Sequence, residues 1–364
     1  MPLARTANPD ESPRPVAALP PAFSIYLDLI RWIAATLVML YHLRENGFGS
    51  RWVNAHLPGN GHAYVTIFFV LSGFVISFTN DRKHHLGARE YIRDRVARIY
   101  SVAIPVLALC LLATFTFEPG NLDREYGFAL AHPFLSTAVN AVFMGNVWFQ
   151  SLPPYLDGPY WSLSYEVLYY AMFGAWVFAR ARWAWAIGLA LLAGPKILLL
   201  FPCWLAGVWL NRHRERWPLT PRAALVVAVA GLLTPVLMYA LGLFGAAKLV
   251  SAWVLGSYYP AFSNSVNFAS DYLTAIAFTT HLYGVYWLRP RMPGWLSAFA
   301  RWGASIAFSL YLFHMPVLQV TRRWLGDGVA SNLALAGTVV AITLVCYLLA
   351  LVTEQKRAVL KRLL

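Results

Sequence analysis

Residues 27–43 read LDLIRWIAATLVMLYHL, an apolar run of nearly bilayer-spanning length that nonetheless carries Asp28, Arg31 and His42. Ionisable groups inside such a run are costly, and their default reading is functional. At about 100° per residue, Arg31 and His42 fall within roughly 20° of each other on a helix surface and about 16 Å apart along its axis. Asp28 lies three residues before Arg31, on the same face and within ion-pair reach. One polar stripe therefore faces the protein interior. A buried ion pair beside one satisfied histidine would leave the same pattern.

The rest of the chain places this helix in a membrane. Of 364 residues 59% are hydrophobic and only 12% charged, with a mean hydropathy of +0.53. Soluble domains carry about twice that charge. Fifteen Trp and nineteen Tyr suit interfacial belts. Cys110, Cys203 and Cys346 lie in apolar runs without metal-ligand spacing, so they read as small core residues. No phosphate loop, zinc signature or internal repeat is present, and no metal or cofactor is expected.

These runs divide the chain into a polar, proline-rich tail at 1–22, a transmembrane domain at 23–353 and a basic tail at 354–364. The expected fold is all-α, a polytopic bundle of about ten transmembrane helices with both termini cytoplasmic. The spans fall near 27–43, 63–80, 99–117, 162–179, 222–243, 270–288, 303–320 and 333–353, with 183–211 split in two at Gly194-Pro195-Lys196. Segment 134–150 is apolar but short and reads as re-entrant or interfacial. In this topology 21 of the 29 Lys and Arg lie on the cytoplasmic side and seven outside. That bias obeys the positive-inside rule and accounts for the +13 net charge without nucleic acid.

Three further clusters could carry chemistry. In YIRDRVARIYS, residues 91–101, Arg95 and Arg98 share a helix face at the cytoplasmic start of the third span. Paired guanidinium forks there suit bidentate phosphate binding, although lipid headgroups would engage them too. In GPYWSLSYEVLYY, residues 158–170, Glu166 is flanked on one face by Ser162 and Tyr169. At a depth matching His42, it could orient that histidine as a general base, or else be an interfacial carboxylate. In SIAFSLYLFHMPVLQ, residues 305–319, His314 precedes Pro316 and is expected to bond a carbonyl freed by the proline. Ser72-Gly73 in FFVLSGFVIS marks close helix packing.

LDLIRWIAATLVMLYH, FFVLSGFVIS, RVAR, YWSLSYEVLYY and SIAFSLYLFHMP, in that order along nearly the whole chain, resemble the acyltransferase-3 family. These are multi-pass membrane acyltransferases that O-acetylate bacterial surface and exported glycans. A late TEQKR resembles the family's closing motif, with Gln355 where proline is usual. The resemblance implies that His42 is the catalytic base and Arg31 its essential partner. It implies that Arg95 and Arg98 help bind an acyl-coenzyme A donor, and that Glu166 is a site carboxylate. Asp28, Tyr169 and His314 join them as expected substrate-binding residues. The chain ends soon after its last span, so a fused esterase-like domain is not expected.

The expected activity is acetyl transfer from acetyl-CoA to a sugar hydroxyl of a lipid-linked oligosaccharide or polysaccharide, in exopolysaccharide or lipopolysaccharide biosynthesis. The expected setting is the bacterial inner membrane, among membrane lipid and other glycan-assembly proteins. Succinyl or another acyl group, or a small-molecule acceptor, fits the same motifs. A proton-coupled transporter relaying through His42 and Glu166 is a rival that leaves the arginine pair without a role. A non-catalytic scaffold leaves the charged stripe without one.

Overall fold

The structure, a computed structural model, describes residues 18–57, 59–117, 125–326 and 330–364. Most of the expected N-terminal tail, residues 1–17, lies outside them. No strand occurs among the described residues. The chain opens with α1 (Pro21–Glu45), whose proline sits in the first turn, where its missing N–H costs nothing. A short α2 (Arg51–His56) leads to α3 (Gly61–Lys83), capped by the Asn60 side chain accepting from Ala63 N. Then come α4 (Gly87–Thr116), α5 (Gly127–Ala131), α6 (Pro133–Ala141) and α7 (Trp161–Phe178). The second half holds α8 (Arg182–His213), α9 (Pro221–Ala240), α10 (Leu243–Leu255) and α11 (Phe268–Leu288). It closes with α12 (Gly294–Ala304), α13 (Ala307–Leu325), α14 (Asn332–Val352) and α15 (Arg357–Leu363).

Small residues set the helix crossings, since backbones in lipid gain by approaching closely. A Cβ on Gly73 of α3 would lie 2.0 Å from the Trp204 carbonyl oxygen of α8, and one on Gly207 would lie 1.9 Å from that of Val70. The Ser72-Gly73 packing reading therefore holds. The same device joins α9 to α11, where Gly231 abuts His281 N and Gly284 abuts Ala228 N. Against this framework α1 packs on α3, α12 and α13, and α13 packs on α14. The three cysteines are buried and unpaired.

The expected count of ten spans is not reached by length and apolarity. Five helical stretches among the described residues meet both, or six if α12 and α13, bent by 54° at their junction, cross as one. Part of the difference is counting, since the stretch 61–116 holds both α3 and α4 and α8 is counted once where two short spans were expected, and part lies in composition. Helices α7 and α11 have 18 and 21 residues but trade aliphatic side chains for Ser, Thr, Tyr, Trp, an acid and a histidine. In α7 the polar residues Ser162, Glu166 and Tyr170 line the cavity, whereas in α11 Asp271 accepts from Thr66 of α3 and His281 meets Tyr26 of α1 and the Ala228 carbonyl of α9. Residues 354–364 do not trail free: a 3-10 turn and α15 lie on α4, where Lys361 Nζ bonds both Glu90 and Asp94.

The break expected at 194–196 is present. Gly194 has φ 77° and ψ 173°, and the two limbs of α8 meet there. The loop after α6 fills the notch: Trp148 N donates to Ala193 O at 2.9 Å, and buried Lys196 donates Nζ to Gln150 O. A Cβ on Gly194 would stand 2.6 Å from Trp148 Cα. Gly194→Ala combines strain of about 1–3 kcal/mol with that clash. It is expected to lower the thermal unfolding midpoint of the detergent-solubilised protein, and an unchanged midpoint would show that the notch can open.

Candidate active site

A narrow cavity of about 50 Å³ sits where α1, α3, α4, α7 and α13 converge. Its polar lining is Arg31 from α1, Ser72 from α3, Arg98 from α4, Ser162, Glu166 and Tyr170 from α7, and Tyr311 from α13. The remaining wall is apolar, chiefly Val, Leu, Ile and Phe side chains. Arg31 reaches this cavity with its guanidinium half-occupied: Nη1 donates to Asp28 Oδ1 at 3.3 Å, as the spacing required. Asp28 thus holds Arg31.

Arg95 and Arg98 share a face of α4 but open into different spaces. Arg98 lies over the Phe308 ring at 5.9 Å and lines the main cavity with Arg31. Arg95 lies over Tyr91 at 5.7 Å and Tyr170 at 6.0 Å, and lines a smaller recess with Asn80, Lys83 and Asp94. Neither guanidinium has a carboxylate within 4.0 Å among the described residues. They are cations held in place by aromatic faces. Tyr170 stands between the two spaces.

Glu166 is bonded within the cavity wall. Oε1 accepts from Ser72 Oγ at 2.6 Å and from the Tyr170 hydroxyl, while Trp204 Nε1 donates to Ser72 Oγ at 3.2 Å. The expected pairing of Glu166 with His42 is therefore corrected: the histidine meets another partner. Tyr169 is corrected as well. Its hydroxyl donates to Ile197 O at 2.7 Å, and its ring packs among Phe69, Phe201 and Trp204, away from the cavity. Ser162, Glu166 and Tyr170 form one i, i+4, i+8 stripe, and the one-residue choice between Tyr169 and Tyr170 turns on it.

At the far end of the cavity Ser162 Oγ and Tyr311 OH lie 2.7 Å apart, and directly behind Tyr311 stands His314, fully buried. Its Nδ1 faces the Tyr311 and Leu310 carbonyls at 2.7 and 3.0 Å, and its Nε2 lies 3.1 Å from Nδ1 of His42. The expected partner was a carbonyl freed by Pro316, which would be that of Leu312. The histidine instead uses the turn before it and turns its other nitrogen to α1.

Glu354, in the TEQKR stretch, was not among the expected site residues, nor were Tyr170, Tyr311 and Ser309. Glu354 Oε2 accepts from both Ser309 N and Ser309 Oγ at 3.0 Å. Ser309 is in the first turn of α13, so the carboxylate satisfies otherwise orphaned amides and complements the helix dipole. It is also within electrostatic reach of Arg31 and Arg98. Its acidic-basic motif was the available signal.

Helices of bilayer-spanning length around an interior of arginines, a glutamate and two histidines define an integral membrane protein with a polar catalytic-type centre. The chain belongs to the acyltransferase-3 family, whose acyltransferase domain matches residues 24–351. It is 31% identical over 145 residues to the exopolysaccharide production protein ExoZ of Rhizobium meliloti, covering 40% of this chain and 41% of ExoZ. Acyltransferase MdmB of Streptomyces mycarofaciens is 27% identical over 200 residues, 48% of this chain and 46% of MdmB. Peptidoglycan O-acetyltransferase OatA of Listeria monocytogenes is 26% identical over 181 residues, 48% of this chain and 26% of OatA. The chain thus spans less than half the length of these three relatives. No solved structure matches it.

The two adjacent tyrosines give a test of this geometry. Tyr169→Phe should lose about 1 kcal/mol of stability, one net hydrogen bond, and keep its turnover in an acyl-transfer assay. Tyr170→Phe removes a donor to a carboxylate and should lower turnover by roughly tenfold. The reverse ranking would place the functional face of α7 on the Tyr169 side.

Proposed function

We propose that this chain is an integral membrane O-acyltransferase that moves acetyl from acetyl-CoA to a hydroxyl of a lipid-linked glycan during exopolysaccharide or lipopolysaccharide assembly. The observation that carries the reading is one cavity with Arg31 and Arg98 in its wall and His42–His314 beyond its Tyr311 end. The names of ExoZ and OatA support a glycan as acceptor. The charge bias supports a bacterial inner-membrane setting with ten passes and both termini cytoplasmic, which puts Arg95 and Arg98 on the side where coenzyme A is made.

In this reading Arg95 receives the donor's phosphates at the recess and Arg98 draws the chain inward past Tyr170. The acceptor hydroxyl gives its proton to His42 as its oxygen attacks the thioester carbonyl. Negative charge then builds on that carbonyl oxygen. Arg31, held on one edge by Asp28, offers its other edge to it in a water-poor site. The C–S bond breaks, and the proton on His42 passes to the coenzyme A sulfur. Glu166, held by Ser72 and Tyr170, balances the arginines and shapes the passage between recess and cavity.

Acetyl-CoA consumption by purified protein, with product mass read on a glycan acceptor, tests the whole reading; a transporter consumes no thioester. Arg95→Ala or Arg98→Ala should weaken acetyl-CoA binding by about ten- to a hundredfold, the loss of one charge-assisted contact of roughly 1.5–3 kcal/mol. Titration calorimetry reads this directly, and unchanged affinity in both variants would move the donor site elsewhere. Arg31→Lys should be nearly as inactive as Arg31→Ala, because a flexible ammonium cannot hold both Asp28 and a carbonyl oxygen as a planar guanidinium can. Near wild-type transfer in Arg31→Lys would show that charge alone suffices.

A further inference from the structure

We infer that His314 is a positioning residue for His42, the acceptor that fixes the ring and tautomer of the base; this rests on the O-acyltransferase reading above. The hydrogen-bond network assigns the protons. His314 Nδ1 faces two carbonyl oxygens at 2.7 and 3.0 Å. Carbonyl oxygens only accept, so Nδ1 carries the proton. In the neutral ring Nε2 is then a bare lone pair, and it points at His42 Nδ1 from 3.1 Å.

Two lone pairs would repel at that distance, so His42 Nδ1 carries a proton. It is shared between His314 Nε2 and the Val38 carbonyl 3.0 Å away. The remaining nitrogen of His42, Nε2, is the free lone pair that a general base requires. A triad uses a carboxylate behind its histidine; here a second imidazole stands in that position.

The Val38 contact alone is local to α1. Contact from α13 adds a second, non-local anchor that fixes the plane of the His42 ring. It also offers a lone pair opposite the proton that His42 gains at Nε2 when the acceptor oxygen attacks. That proton leaves with the coenzyme A sulfur, so His314 ends each turnover as it began.

The two rings are clamped on both sides. Glu354 holds the first turn of α13, and one turn beyond His42 the Asn46 side chain accepts from Gln319 at 3.3 Å and Arg322 at 2.8 Å. Asn46 in turn donates to the His42 carbonyl at 2.8 Å. Nothing in such a clamp is needed for a histidine that merely fills space.

Glutamine places an amide oxygen near the position of a histidine Nε2, and leucine keeps bulk without an acceptor. His314→Leu is expected to lower kcat by roughly a hundredfold, the worth of a well-placed base. His314→Gln is expected to stay within roughly tenfold of wild type, about one hydrogen bond. Both should keep the wild-type KM for acetyl-CoA and wild-type donor binding by titration, which also shows that they fold. In wild-type protein labelled with ¹⁵N-histidine, with His42 assigned by difference against His42→Ala, its signals should show Nδ1 protonated and Nε2 bare. Equal activity of the Leu and Gln variants, high or low, overturns the positioning role, as does a protonated Nε2 on resting His42. His42→Ala, assayed in parallel, separates the two claims. Wild-type protein that transfers nothing sinks the acyl-transfer reading, retained transfer in His42→Ala sinks the assignment of His42 as base, and a dead His42→Ala with an unimpaired His314→Leu sinks only the role of His314.

Discussion

Charge inside a hydrocarbon-length bundle has to be met by the protein itself, and the arrangement of helices here follows from that need. Arg31 is met by Asp28 one turn away, and Arg95 and Arg98 by aromatic faces. Glu166 is met by hydroxyls from α3 and α7. Each of these partners lies on a helix that would gain little in lipid from packing on apolar grounds alone. The small-residue crossings of α3 with α8 and of α9 with α11 supply the van der Waals contact that frees the opposite faces for polar work.

Helix α13 is the element on which this arrangement closes. Its N-terminus is capped by Glu354, a residue beyond the last long helix, so the chain's end fixes a helix whose middle carries His314. Helix α15, which follows Glu354, is pinned to α4 through Lys361, with Arg93 Nη2 donating to the Lys361 carbonyl at 2.8 Å. A stretch that composition marks as a basic tail is thereby tied to the helix bearing the arginine pair. The helix of Arg95 and Arg98 and the helix of His314 thus share one mechanical frame.

What the sequence made legible was whatever periodicity within one helix can carry. Asp28, Arg31 and His42 fell on one face because their spacing is local, and the break at Gly194 was visible because glycine and proline announce it. The partner of His42 was not legible. His314 is 272 positions away, and only the packing of α1 on α13 brings the rings together. A carboxylate at similar depth looked the better partner because depth can be read from sequence while azimuth between helices cannot. Tyr169 and Tyr170 differ by one residue, and no rule of spacing decides which of two neighbours borders a cavity until the stripe through Ser162 and Glu166 is seen in place. Hydropathy alone misses α7 for a related reason: Ser162, Glu166 and Tyr170, which line the cavity, also lower the apolarity of their helix.

The distance between the polar groups of α1 carries a chemical consequence for the proposed reaction. Arg31 and His42 are separated by about 16 Å of helix, too far to act on one carbonyl if both side chains stood straight out. Side chains on helices lean toward the N-terminus, and both do so here, His42 toward the Val38 carbonyl and Arg31 toward Asp28, so the lean preserves their separation and other groups have to bridge it. Tyr311 and Ser162, bonded to each other between these ends, occupy the gap. A thioester entering past Arg98 would meet Arg31 first and reach the His42 end only by displacing or joining that hydroxyl pair. In the proposed reaction the acceptor sugar, itself bearing hydroxyls, can replace one member of the pair without loss of hydrogen bonds, and the Val, Leu, Ile and Phe side chains of the remaining wall offer competing water no partners. In the proposed reaction this hydroxyl pair is where the two substrates would meet.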